Sequence, residues 1–193
     1  MATIALQLSS FGSPTDVVEL AETEPDDPGP GQLAVAIEAA PINPSDLMLI
    51  KGIYGVRPDL PAALGAEGIG RVIAVGDTVE ASRIGERVLV IPTLEQATWR
   101  QQTVLDERNA VTIDADGDPL QLAMLGINPI TAYCLLHGFA KLAPGAWVAQ
   151  TGATSATAGY VLALAKHADL RTLNVVRRAD SVTPLLDLSL IHI

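Results

Sequence analysis

Apolar and polar residues alternate from Gln32 to Ala40, with Leu33, Val35, Ile37 and Ala39 on one side. A period of two marks a strand with one buried face. Gly70 to Val75 and Glu86 to Ile91 are β-branched runs bounded by glycines and predict further strands. Thr98 to Leu105 and Ala110 to Ile113 complete the set. Turn signals such as Pro28-Gly29-Pro30-Gly31 and Gly76-Asp77 separate these runs. Short strands joined by glycine turns predict a compact barrel. One helix interrupts it, Pro44 to Lys51, opened by Asn43 and closed by Gly52.

The texture changes between residues 114 and 120. Asp118-Pro119 predicts a helix start, with Asp as cap and Pro in the first helical position. Asn128-Pro129 repeats the device and predicts a helix through His137, ended by Gly138. Trp147 to Gln150 then reads as a buried strand, Thr151 to Ala156 as a small-residue loop, Ala158 to Ala168 as a helix, and Arg171 to Val176 as a second strand. That order makes a βαβ unit.

Composition narrows the classes. At ~150 residues per domain, 193 residues is a little over one domain. Apolar residues make up 49% of the chain, enough for a core, which excludes a wholly disordered protein. Twelve Lys and Arg against 22 Asp and Glu leave a formal charge of −10, so no basic groove exists for a nucleic acid. No stretch reaches the ~18 to 20 apolar residues of a membrane span. The N-terminus shows neither a secretory signal nor an Arg- and Ser-rich transit pattern. The single Cys134 cannot form an internal disulfide. These features predict a cytoplasmic protein.

Several residues carry candidate chemistry. The turn Thr151-Gly152-Ala153-Thr154-Ser155-Ala156-Thr157-Ala158-Gly159 joins strand to helix, where a backbone can approach a pyrophosphate. It is not G-x-G-x-x-G, and a structural βαβ with a small-residue turn fits it equally. Arg177-Arg178 at the second strand end favours a 2′-phosphate, hence NADPH over NADH, or is a solvated pair. The block Gly65 to Gly76 precedes a strand rather than a helix, so its glycines serve turns and close backbone contacts. Tyr54, between Gly52 and Gly55 on a loop, is either a hydrogen-bond donor to a developing oxyanion or a cap on apolar surface. Cys134 and His137 share a helical face but have no companion ligand at suitable spacing; a core Cys and a helix-end His are expected, and no metal.

Together these pieces resemble the medium-chain dehydrogenase/reductase superfamily. The block Gly65 to Gly76 looks like its signature after the catalytic helix. Zinc alcohol dehydrogenases carry Cys where this chain has Asn43 and His where it has Ala66, and the structural-zinc lobe is absent, so the chain resembles the zinc-free branch. Within it, mitochondrial-type 2-enoyl thioester reductases match best. The matching text includes Ala40-Pro41-Ile42-Asn43-Pro44-Ser45-Asp46, Lys51-Gly52-Ile53-Tyr54-Gly55, Thr98-Trp99-Arg100, Asn128-Pro129-Ile130-Thr131-Ala132-Tyr133 and Asn174-Val175-Val176-Arg177.

The resemblance implies an α/β plus β architecture. A GroES-like β-barrel catalytic domain over residues 1–117 precedes the first βαβ unit of an incomplete Rossmann fold over 118–180. It also implies roles. Tyr54 is the active-site donor near the thioester carbonyl, and Asn43 and Thr131 flank the nicotinamide. Ser155, Ala156, Thr157 and Ala158 form the pyrophosphate turn, and Arg177 or Arg178 the 2′-phosphate site. The family usually has glycine at Ala156 and Ala158. The implied reaction is NADPH-dependent reduction of the C2=C3 bond of a trans-2-enoyl thioester, carried on CoA or an acyl carrier protein, in an enzyme that is commonly a homodimer. Residues 181–193 do not resemble the family's continuation. A truncated, non-native tail is therefore expected, as is a chain inactive or nearly so by itself and lacking the dimer strand. Two alternatives stay open: an NADPH:quinone or enone oxidoreductase of the same superfamily, and a non-catalytic GroES-like structural module.

Overall fold

The structure is a computed structural model that describes residues 2–93, 97–113, 116–178 and 180. The expected tail, 181–193, lies outside the described residues. The chain divides into two compact units, Met1–Gly126 and Ile127–Ile193. The first runs past the change of texture and takes in the Asp118-Pro119 helix.

The first unit opens with a hairpin that the alternation in Gln32 to Ala40 gave no hint of. Thr3–Leu8 (β1) pairs antiparallel with Val18–Thr23 (β2), from Thr3 opposite Thr23 to Leu8 opposite Val18, around the short helix Pro14–Val17 (α1). Gln32–Ala39 (β3) and the helix Pro44–Ile50 (α2) follow, and Ala62–Ala63 (β4) returns to the other edge of β1. Gly68–Val75 (β5), Arg87–Val90 (β6), Gln102–Asp106 (β7) and Ala110–Thr112 (β8) join β3 in an antiparallel sheet of order β7-β3-β5-β6-β8. The seventh strand starts four residues later than predicted. Thr98 and Trp99 instead donate their N–H groups to Gly65 and Leu64, and Arg100 bridges Ala5 on β1. That stretch connects the two sheets.

Alternation puts Leu33 and Val35 of β3, Val72 of β5, Val88 and Val90 of β6 and Leu105 of β7 into one buried cluster. Each such side chain contributes about 1.5–3 kcal/mol on burial. A second cluster, Leu8, Val17, Ile50, Ala62 and Leu64, seats α2 on the three-stranded sheet. Glu38 of β3 pairs with both Arg71 of β5 (2.9 Å) and Arg87 of β6 (2.7 Å). The glycine block does what its position before a strand predicts. A Cβ on Gly70 would collide with the Ala36 carbonyl of the neighbouring strand, and Gly65, at φ +98°, would put one 2.5 Å from Thr98 Oγ1. Pro119–Leu122 (α3) is capped as expected, Asp118 Oδ1 accepting from Leu120 N–H at 2.9 Å.

In the second unit Asn128–His137 (α4) packs on Ala156–His167 (α5). Trp147–Thr151 (β9) and Arg171–Val175 (β10) run parallel, from Trp147 opposite Arg171 to Val175 opposite Thr151. Ala132, Leu136, Val161, Ala165 and Leu170 form the core.

Three local expectations fail here. The cap of α4 is Ile127, not Asn128; Asn128 lies inside the first turn, buried, its carboxamide oxygen accepting from Thr157 Oγ1 at 2.7 Å. β9 is not buried throughout but alternates exposed and half-buried, because Val148 packs toward the helical core while Trp147 is on the other face. Cys134 is exposed rather than core, since the buried stripe of α4 is Asn128, Ala132 and Leu136 at a spacing of four. His137 stacks against Tyr133 with ring centroids 4.4 Å apart.

Candidate functional site

Asn43 sits in extended backbone (φ −92°, ψ 155°) at the start of α2, and Pro44 in the first turn costs no hydrogen bond there. Its backbone N–H donates to Asp46 Oδ2 at 2.7 Å, which holds the entry to the helix. Its side-chain Nδ2 donates to Glu67 Oε1 at 3.0 Å. Glu67 is fully buried, and its backbone carbonyl accepts from Thr98 Oγ1 at 2.7 Å. A buried acid needs partners. Asn43 supplies one: Glu67 Oε1 accepts from the amide nitrogen and so orients the whole carboxamide. A Cβ on Gly126 would come within 2.9 Å of Glu67 Oε2, so the pocket around this carboxyl is tight on that side too. Asp46 is also buried; desolvation pushes its carboxyl above the ordinary aspartate value, partly offset by the Asn43 N–H.

Glu67 is a residue the sequence reading missed. The available signal was an acid between alanine and glycine at the mouth of an otherwise apolar strand.

Next to this pair lies a cleft of about 140 Å³. Asp46 and Leu49 of α2 line it with Val56 and Pro58 from the following loop, Ala63 to Ala66, and Thr93. The walls are mostly apolar, suited to a short aliphatic group with a polar end. Tyr54 belongs to the same loop. It is 40% exposed, and its hydroxyl makes no hydrogen bond among the described residues, which leaves it free to donate to a bound molecule.

The second unit gathers another set. β9 passes into the turn through Gly152 at φ +63°, and the Ala153 N–H reaches the Val175 carbonyl at 3.4 Å, tying the turn to the end of β10. Ser155 caps α5, its Oγ accepting from the Ala158 N–H at 3.2 Å. Because the strands are parallel, Arg177 and Arg178 emerge at the same end of the sheet as this turn. Both are exposed, and Arg178 Nε lies 3.4 Å from Asp180 Oδ1. Thr131 stands on the exposed side of α4, its hydroxyl returned to the Ile127 carbonyl at 2.8 Å.

The turn passes a physical test for a dinucleotide. A Cβ at Gly152 or Gly159 meets nothing within 4 Å, so that backbone is open to approach. Ala158, where glycine is usual, is buried and its methyl is taken up by packing; Ala156 is exposed. The first-turn N–H groups of a helix carry partial positive charge suited to phosphate.

Thus Asn43, Asp46, Glu67 and the cleft come together in the first unit, with Tyr54 on a loop that walls the cleft. Ser155 to Ala158 and the two arginines gather at one sheet end in the second.

Residues 29–138 match the model of the alcohol dehydrogenase GroES-like domain. The mitochondrial enoyl-[acyl-carrier-protein] reductase of Bos taurus is 39% identical over 184 residues, covering 95% of this chain and 49% of the relative. The chain spans about half the length of the curated relatives it matches. Among solved structures, a protein described as an NADPH:quinone reductase from Bacillus thuringiensis superposes with a TM-score of 0.91 at 28% identity, over 100% of this chain and 57% of the other. The ETR1P complex with NADP and crotonyl-CoA gives 0.86 at 26%, over 100% and 60%. These names overturn the expected cytoplasmic location, because relatives from Bos taurus to Caenorhabditis elegans are called mitochondrial. One cysteine does not single out the cytoplasm from other compartments. No described helix is long and apolar enough to cross a membrane. The chain belongs to the alcohol dehydrogenase GroES-like domain family, and it is similar to enoyl thioester and quinone reductases among the medium-chain dehydrogenases/reductases.

Proposed function

We propose that this chain carries site residues of an NADPH-dependent 2-enoyl thioester reductase, which saturates the C2=C3 bond of an enoyl group held on CoA or an acyl carrier protein. The observation that carries the reading is the free Tyr54 hydroxyl on a loop walling an apolar cleft beside the oriented Asn43 amide. NADPH, when bound, supplies the hydride to C3. Negative charge then gathers on the thioester carbonyl oxygen, where the Tyr54 hydroxyl donates; a proton later reaches C2. A donor aimed at developing charge is worth about 10² to 10³ in rate. The cleft walls keep water from the acyl chain. Ser155, Ala156, Thr157 and Ala158 receive the pyrophosphate, and Arg177 and Arg178 the 2′-phosphate. The name of the Bos taurus relative and the crotonyl-CoA complex support this assignment.

Replacing Tyr54 with Phe tests it. In the whole enzyme, with crotonyl-CoA and NADPH, kcat should fall by roughly 10² to 10³, while the unfolding midpoint holds because the hydroxyl has no partner among the described residues. An undiminished kcat refutes the assignment. The likeness to the NADPH:quinone reductase favours a second reading, quinone or enone reduction. Turnover of a quinone that is indifferent to Tyr54→Phe would establish that reading instead.

A further inference from the structure

We propose that Arg57 is a positioning residue that clamps the loop carrying Tyr54; the proposal rests on the reading of that loop given above. Gly52 closes α2 in the left-handed region, φ +70°, and its N–H returns to the Leu49 carbonyl at 2.9 Å. It is seated on Phe11, whose atoms lie 3.1 Å from where a Cβ would be. Five residues on, Arg57 turns back. Its Nε and Nη2 both donate to the Gly52 carbonyl, at 2.9 and 2.6 Å, and its Cζ stands 5.5 Å from the centroid of the same Phe11 ring. Phe11 is itself tied to the helix end, since the Gly12 N–H donates to the Ile50 carbonyl at 3.0 Å.

The four residues between, Ile53 to Val56, are all exposed, and their only backbone hydrogen bond among the described residues is Ile53 N–H to the Met48 carbonyl at 3.0 Å. Among the described residues, nothing else on the loop itself holds its shape. The residues on either side of Arg57, Val56 and Pro58, line the cleft. One guanidinium therefore sets the spacing of the loop ends, the cleft wall and, through both, the reach of Tyr54. The task suits arginine: a planar fork delivers two donors and a flat face for the ring at once, and lysine's single ammonium cannot do both.

The test compares Arg57→Gln, Arg57→Lys and Phe11→Leu with the unsubstituted protein, the exchange arm on this chain and the kinetic arm in the whole enzyme. Amide hydrogen exchange at Gly52 and Ile53 should quicken by about tenfold in Arg57→Gln, with β3 amides unchanged. Arg57→Lys should recover only part of the protection, and Phe11→Leu should lose part. With crotonyl-CoA, kcat of Arg57→Gln should fall on the order of 10- to 100-fold with the KM for NADPH unchanged, as expected for a displacement of about 1 Å. Unchanged exchange at Gly52 and Ile53 overturns the clamp whatever the turnover. Faster exchange with kcat intact, alongside an impaired Tyr54→Phe, overturns the positioning role. A Tyr54→Phe chain that keeps full activity fails the functional reading instead, and the exchange data still decide the clamp.

Discussion

The Asn43–Glu67 contact makes a quantitative prediction. Removing the Asn43 side chain does two things. It takes away a favoured helix-capping residue, which costs about 1 kcal/mol. It also strips a donor from a carboxyl group with no exposed surface, where water cannot replace it. Leaving a buried acceptor unsatisfied costs about 1–3 kcal/mol. Asn43→Ala should therefore destabilise the first unit by roughly 3 kcal/mol. In a Glu67→Leu background the second contribution vanishes, and the same substitution should cost only about 1 kcal/mol. The coupling, about 2 kcal/mol, is what a double-mutant cycle reads. Urea unfolding followed by circular dichroism resolves it. With a slope near 2 kcal/mol per molar, Asn43→Ala alone should lower the midpoint by about 1.5 M. The other arm is asymmetric: Glu67→Leu leaves the half-buried Asn43 amide able to turn to solvent, so it should cost less than Asn43→Ala. Equal costs of Asn43→Ala in both backgrounds, within about 0.5 kcal/mol, would refute the idea that Glu67 holds this amide.

Other perturbations have equally definite outcomes. Gly70→Ala forces a methyl against the Ala36 carbonyl and Val35 Cγ1, so it should cost about 3 kcal/mol in denaturant unfolding, while Gly55→Ala, with nothing within 4 Å, should be near neutral. Ser155→Ala loses the acceptor for the Ala158 N–H; thermal unfolding of the second unit should register about 1 kcal/mol, and titration with NADPH should show weaker binding. Asp46 holds its proton in the folded state to higher pH than in the unfolded chain, chiefly through burial. Its contribution is thus fully present below the unfolded aspartate value and is lost as pH rises through the raised folded value. Asp46→Asn keeps an acceptor for the Asn43 N–H and should flatten that slope in stability against pH, whereas an unaltered slope would exclude Asp46 as its source.

Much of the fold was legible because it depends on local pattern. Period-two alternation located β3, the glycine-bounded runs located β5 and β6, and Asp118-Pro119 marked a true cap. The order strand, small-residue turn, helix, strand was enough to put Ser155 and the Arg177-Arg178 pair at one end of a parallel sheet. Mixed texture hid the rest. The β1–β2 hairpin went unseen, as β2 is largely exposed and its alternation is weak. Asn128 looks like a cap in sequence, yet its carboxamide is drawn inward by Thr157, twenty-nine residues away.

By itself, then, the sequence determined most of the elements and offered Tyr54 as a candidate donor. Those follow from residue type and spacing, which one chain segment carries alone. Only the tertiary structure decided that Asn43 faces a buried Glu67, that Asp46 is desolvated, and that Arg57 reaches back across its loop to Gly52 and Phe11. Each of these is a contact between residues distant along the chain or folded back on each other. Its energy depends on burial and direction, which no window of sequence contains.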